Sequence, residues 1–173
     1  RDAAQGGSAG ACSTLWLALH DDMADPASAD PVARESTRLS CAAVAGAQTS
    51  LDPRQMREWI PNITYGPHAF GIERGKDRKA AFDEWLARRD KLLPLIRRYS
   101  PYEHAGRGDP PIYMENPKQE KEPKAGEEQA DPTHSAVFGL KLAERLREAG
   151  VDVVLNYPGH MHARYKSTAD YLI

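Results

Sequence analysis

A helix, a glycine and a strand follow one another without a gap between Thr133 and Tyr157, and this arrangement restricts the fold more than any other feature. Over Thr133 to Ala149, the residues Val137, Leu140, Ala143 and Leu146 make one apolar stripe that Phe138 and Leu142 widen, and Gly150 stands where a helix-ending glycine belongs. Val151-Asp152-Val153-Val154-Leu155-Asn156-Tyr157 then reads as a strand. The same two kinds of segment alternate elsewhere. Ser8 to Ala24 is apolar almost all round, the pattern of a helix buried inside a domain, and Cys41 to Gly46 is a short run of small apolar residues that fits a buried strand. Asp52-Pro53 opens a short helix that Pro61 ends, and Asn62 to Gly75 reads as loop. A longer helix is expected from Arg78 to Arg98, kinked at Pro94, and Pro110-Pro111 introduces a strand over Ile112 to Met114. Strands alternating with helices in this way specify an α/β fold, a parallel sheet covered by helices.

Composition narrows the function classes. With 173 residues, 23 Lys plus Arg against 25 Asp plus Glu, and 40% apolar residues, the chain is expected to form one globular domain over residues 1–173. A net charge of −2 provides no electrostatic footprint for nucleic acid or an anionic membrane surface. The stretch from Gly6 to Leu19 is too short and too rich in small residues to span a bilayer. Two cysteines, Cys12 and Cys41, make neither a disulfide framework nor a Cys-x-x-Cys zinc site, and spacing leaves their pairing open. No cofactor or metal is expected. The chain opens on Arg1 rather than Met, which implies a native start that lies upstream or has been removed and leaves the compartment unassigned. Residues 116–130 are Lys, Glu, Gln and Pro without apolar periodicity and are expected to form an exposed polar loop.

Three short patterns bear chemistry. Gly6-Gly7-Ser8-Ala9-Gly10 fits G-x-S-x-G, in which a strand turns sharply into a helix and presents a serine hydroxyl; read without context, it is equally a tight connection or a phosphate cradle. A serine nucleophile needs a base, and six histidines are available. His160 and His162, in Pro158-Gly159-His160-Met161-His162, follow the last strand, where ligands gather in open α/β sheets; the alternatives are a surface turn or an adventitious metal site. The third member, a carboxylate between serine and histidine in chain order, is best supplied by Asp131, with Glu115, Glu120, Glu127 and Glu128 as fallbacks. Asp131 is equally readable as a helix-start residue.

The chain resembles the α/β-hydrolase superfamily, and within it the carboxylesterases related to hormone-sensitive lipase and the feruloyl and acetyl esterases. The resemblance rests on Gly6-Gly7-Ser8-Ala9-Gly10-Ala11, Asp109-Pro110-Pro111-Ile112-Tyr113, Asp131 with the helix after it, and Tyr157-Pro158-Gly159-His160-Met161-His162, and it spans almost the whole chain. It implies a serine hydrolase cleaving small carboxylic esters, with Ser8 as nucleophile, Asp131 as acid, His162 as base, the Ala9 N–H as one oxyanion donor and His160 as the alternative base. It also implies a catalytic domain lacking its amino-terminal strands and a helical cap-like insertion over residues 50–109. Two further readings stand beside it. One is a small serine peptidase on the same fold; the other is a noncatalytic or incomplete hydrolase-like domain that pairs with another chain or with a second copy.

Overall fold

The computed structural model describes residues 2–73, 75 and 77–173; Arg74, in the expected loop of residues 62–75, lies outside them. Among the described residues four strands, β1 (Ala3–Gly7), β2 (Cys41–Ala45), β3 (Ile112–Glu115) and β4 (Val153–Asn156), form one parallel sheet in chain order. The register aligns their carboxyl ends, since Gly7 pairs with Ala45, Ala45 with Glu115 and Glu115 with Asn156. Residues that leave the four strands therefore emerge along one edge, where α/β sheets assemble their sites.

Parallel neighbours need crossover connections, and helices supply them. Helix α1 (Ala9–Leu19) joins β1 to β2. Helices α2 (Pro53–Trp59), α3 (Arg78–Ala87), α4 (Arg89–Tyr99) and α5 (Pro101–His104) lie between β2 and β3, α6 (Ala136–Glu148) joins β3 to β4, and α7 (Thr168–Leu172) follows β4. Alternation along the strands sorts the core. Ala42, Val44, Ile112, Met114 and Leu155 pack in one cluster with Ala11, Leu15 and Leu19 of α1 and Leu142 and Leu146 of α6. Each fully buried leucine contributes about 2 kcal/mol there. On the opposite face the Tyr113 ring stacks on Tyr171 of α7, with centroids 5.3 Å apart. A second cluster joins Met56, Trp59, Ile60, Phe82 and Trp85 from the segment between β2 and β3 to Val137 and Phe138 of α6.

Two details depart from the sequence expectations. The helix expected to run from Arg78 to Arg98 is two helices that part at Arg88, while Pro94 sits inside the second. The break places Arg89 against Asp52, which caps α2, with Nε to Oδ1 at 2.7 Å and Nη2 to Oδ2 at 2.6 Å. Burial raises the Asp52 carboxyl, but the Arg89 hydrogen bonds and charge outweigh it and hold the group below its ordinary pKa. The second concerns residues 116–130, which lack regular structure and are pinned. The Gln129 backbone is bound by the Asn62 side chain, and Gln129 Oε1 accepts from Gln119 Nε2 and Ser135 Oγ, each at 3.0 Å. Among the described residues no helix is long and apolar enough to cross a membrane.

Candidate active site

Ser8 occupies a strained turn between β1 and α1. Its φ of 51° and ψ of −119° make it the one non-glycine with positive φ among the described residues. Such a conformation costs about 1–3 kcal/mol and persists only when its surroundings enforce it. Here its N–H donates to Ala45 O at 2.9 Å, while its carbonyl accepts from Cys12 N at 3.1 Å and starts the helix. The glycine pattern has an unequal steric basis. A Cβ on Gly6 would collide with the Gly10 carbonyl and come within 2.7 Å of Thr14 Oγ1, whereas Gly7 and Gly10 have open space around the same point. Gly6 is required because the strand runs tight against the helix that follows it.

The ring facing Ser8 belongs to His134, which the sequence reading counted among the available histidines and left without a role. Ser8 Oγ lies 2.9 Å from His134 Nε2, and His134 Nδ1 lies 2.9 Å from Asp131 Oδ2. A carboxylate at Nδ1 selects the tautomer protonated there, which leaves Nε2 bare to accept the serine hydroxyl hydrogen. The same Asp131 also shapes the backbone, since its Oδ1 accepts the N–H groups of Thr133 (3.1 Å) and His134 (3.2 Å). Burial raises the Asp131 carboxyl, and the bonds from the His134 ring and these two amides outweigh it, so its pKa falls below the ordinary value. Asp131 is not the cap of α6; that role is taken by Ser135, whose side chain accepts from Val137 N.

Solved structures with a similar fold are esterases and a related hydrolase. The chain matches an acetyl ester-xyloside bifunctional hydrolase from Caldicellulosiruptor lactoaceticus at a TM-score of 0.57 and 20% identity, covering 88% of this chain and 44% of that one. It matches a thermophilic esterase from Thermogutta terrifontis at a TM-score of 0.51 and 21% identity, covering 90% and 42%. The same esterase phosphonylated by sarin matches at a TM-score of 0.53 and 21% identity, covering 90% and 44%. The fold is that of the α/β-hydrolases. The chain spans less than half the length of these solved structures. No protein-family model and no curated protein matches the sequence.

Within this fold, the structure does not bring His162, the histidine expected at Ser8 from the sequence, to the serine hydroxyl. His162 turns away because its own loop uses it. Its N–H donates to Asn156 Oδ1 (2.7 Å), its Nδ1 accepts from the N–H groups of Arg164 and Tyr165, and its ring stacks on Tyr165 at 5.3 Å. It lines a cavity with Cys41, Pro111 and Val153, residues at the amino ends of the strands, opposite the end that carries Ser8. His160 is likewise held by a tight turn, with its backbone paired to Tyr157 and its ring stacked on the Tyr157 ring. The signal that could have found His134 was local: Asp131 and His134 stand three apart just before a helix, a spacing that lets one carboxylate cap the turn and reach the ring.

Three hollows surround Ser8 and His134. One of about 260 Å³ is lined by Ser8, Gly46, Asn116, Pro117, Lys118 and His134. A polar one of about 300 Å³ continues past His134 and Asp131 along the loop of residues 118–130. An apolar one of about 160 Å³ lies on the other side, bounded by Ala9, Cys12, Leu51, Met56, Tyr65 and Ala69. Burial pushes the Cys12 thiol up to about 11, so it stays protonated one helical turn from Ser8, and both cysteines are free. Among the described residues no group of three His, Cys, Asp or Glu side chains gathers to hold a metal ion.

Proposed function

We propose that the chain is the catalytic part of a serine carboxylesterase in which Ser8 is the nucleophile, His134 the base and Asp131 the acid. The observation that carries this reading is the continuous relay at 2.9 Å and 2.9 Å from Ser8 Oγ through His134 to Asp131, built on a strained nucleophile turn. In the first half-reaction His134 Nε2 takes the Ser8 hydroxyl proton as Oγ attacks the ester carbonyl. Negative charge then develops on the carbonyl oxygen. Ala9 is the first residue of α1, so its N–H has no acceptor within the helix and is available, with the positive end of the helix, to that oxyanion. Collapse breaks the bond to the alcohol oxygen, which receives the proton from Nε2. Water then attacks the acyl-serine with its proton passing to His134, and the acid leaves as Ser8 recovers its hydrogen.

The position of His134 orients the substrate. The leaving oxygen must lie within reach of Nε2, so the alcohol extends along the polar hollow past Asp131, and the acyl group enters the apolar hollow beside Ala9. A hollow of about 160 Å³ favours small acyl groups. The helical segment between β2 and β3 supplies Leu51, Met56, Tyr65 and Ala69 to that hollow, which supports its reading as a cap. The test is intact-mass and peptide-mapping analysis after exposure to a fluorophosphonate. One adduct per chain on Ser8, absent from Ser8→Ala, is expected; a folded chain that takes no adduct would overturn the assignment.

A further inference from the structure

The main chain around His134 is gripped by two buried amides from other parts of the sheet. Gln48, 2% exposed, stands two residues beyond Gly46 in the loop that leaves β2, and its Nε2 donates to the carbonyl oxygens of Gly46 (3.3 Å) and Thr133 (2.7 Å). Asn116, 4% exposed, follows β3 directly, and its Nδ2 donates to the His134 carbonyl oxygen at 2.8 Å. The two carbonyls that flank the His134 Cα are thus each taken by a side chain from a different strand exit. Gly46 also abuts the ring, since a Cβ there would lie 3.3 Å from His134 Cδ2. Its φ of 59° suits glycine, and its N–H is tied to Glu115 O at 2.9 Å, so β2 and β3 hold this wall jointly.

This grip answers a mechanical need. His134 sits near the end of a connection that runs without regular structure from the end of β3 to the start of α6, and the Asp131 bonds lie wholly inside that connection. They fix the ring relative to its own loop and leave the loop's place relative to Ser8 undetermined. Ser8 is located by β1 and β2. Contacts reaching from the strand exits to the 131–134 turn hold its main chain on both sides of the ring that faces the hydroxyl.

We infer that Gln48 and Asn116 are positioning residues that hold the His134 imidazole on Ser8, an inference that rests on the Ser8, His134 and Asp131 reading above. Neither amide touches the reacting atoms. Each acts through the main chain of the base, so its loss displaces the ring and falls chiefly on kcat. Displacements of about 1 Å cost on the order of 10²-fold in rate.

The test uses Gln48→Met and Asn116→Leu, which remove the donors and keep most of the volume. Three readouts apply: the second-order rate of Ser8 phosphonylation, kcat and KM on a short-chain ester, and the downfield proton resonance of the imidazole Nδ1–H bonded to Asp131. Each variant is expected to label about 10- to 100-fold more slowly, to lower kcat with KM within about threefold, and to broaden or lose the resonance. The double variant should fall short of the product of the two losses, because both act on one group. Folded variants that label at the wild-type rate with the resonance intact would overturn the inference, as would a loss confined to KM. Where an apolar variant fails to fold, Gln48→Glu and Asn116→Asp keep the shapes without the amide donors and carry the same expectations. If the unaltered chain shows the resonance and takes no label, the esterase reading falls. The resonance in the variants then still decides the positioning role, standing if it is lost and failing if it persists.

Discussion

Two histidine-bearing segments of this protein follow the carboxyl ends of β3 and β4, and they differ in where their hydrogen bonds go. The turn at residues 131–134 is bound outward: its carbonyls are held by Gln48 from the β2 exit and Asn116 from the β3 exit, and its ring meets Ser8 from the β1 exit. The loop after β4 is bound inward. Tyr157 pairs with His160, Asn156 takes the His162 N–H and the Tyr165 carbonyl, and the His162 ring accepts from amides two and three residues on. The histidine proposed as base has its main chain committed to other elements and its Nε2 turned to Ser8, whereas the His162 ring is engaged by amides of its own loop.

The sharpest way to break this comparison is to remove each ring in turn. His134→Ala should lower ester turnover and Ser8 phosphonylation by about 10³- to 10⁴-fold, the scale of losing the base of such a relay. His162→Ala should stay within about twofold. Rates measured side by side on folded proteins settle it: a large loss in His162→Ala with little in His134→Ala would reverse the assignment of the two loops.

A smaller effect sharpens the other half of the contrast. Asn156 is 1% exposed and its Nδ2 donates to Tyr113 Oη (2.9 Å) and Tyr165 O (2.8 Å) while its Oδ1 accepts the His162 N–H. Tyr113 Oη in turn donates to Glu115 Oε2 at 2.8 Å, and burial first, then this carboxylate, drive the phenol well above its ordinary pKa. Asn156→Leu strands these partners and should cost about 2–3 kcal/mol in urea unfolding. Ser8 labelling of the folded fraction should keep its wild-type rate. Slower labelling in that fraction would show that the β4 loop bears on the site after all.

The alternation of helix and strand was legible because periodicity follows burial: Val137, Phe138, Leu142, Ala143 and Leu146 of α6 are buried, and β2 and β3, which emerge from the sequence as apolar runs, are buried on both faces. The turn at Ser8 was legible for a local reason, that Gly6 must lack a side chain where strand and helix touch. The histidine that meets it was harder to find: its one local signal is the Asp131–His134 spacing, and the bonds of Gln48 and Asn116 that hold its main chain join distant parts of the sequence. The break at Arg88 was hidden likewise, because the ion pair that follows it, Arg89 with Asp52, joins residues 37 positions apart.

The smallest effect separates catalytic from structural charge at Asp131. Its folded pKa lies below the ordinary value, chiefly because the His134 ring and two amides outweigh burial, so its ionised form favours the folded state. That contribution is fully present above the unfolded carboxyl pKa of about 3.9 and is lost as the pH falls through the depressed folded value. The side chain is 44% exposed, and solvent screening keeps the contribution under about 1 kcal/mol. Asp131→Asn should therefore lower the unfolding midpoint slightly at pH 7 and converge on the unaltered protein as the pH falls through the depressed folded value, while turnover at pH 7 falls by orders of magnitude as the ring loses its tautomer. A stability loss of several kcal/mol at pH 7 would mean that Asp131 holds the turn itself, and activity would then report on folding. A small loss joined to a large drop in turnover identifies a carboxylate that orients a base already fixed by the amides on either side.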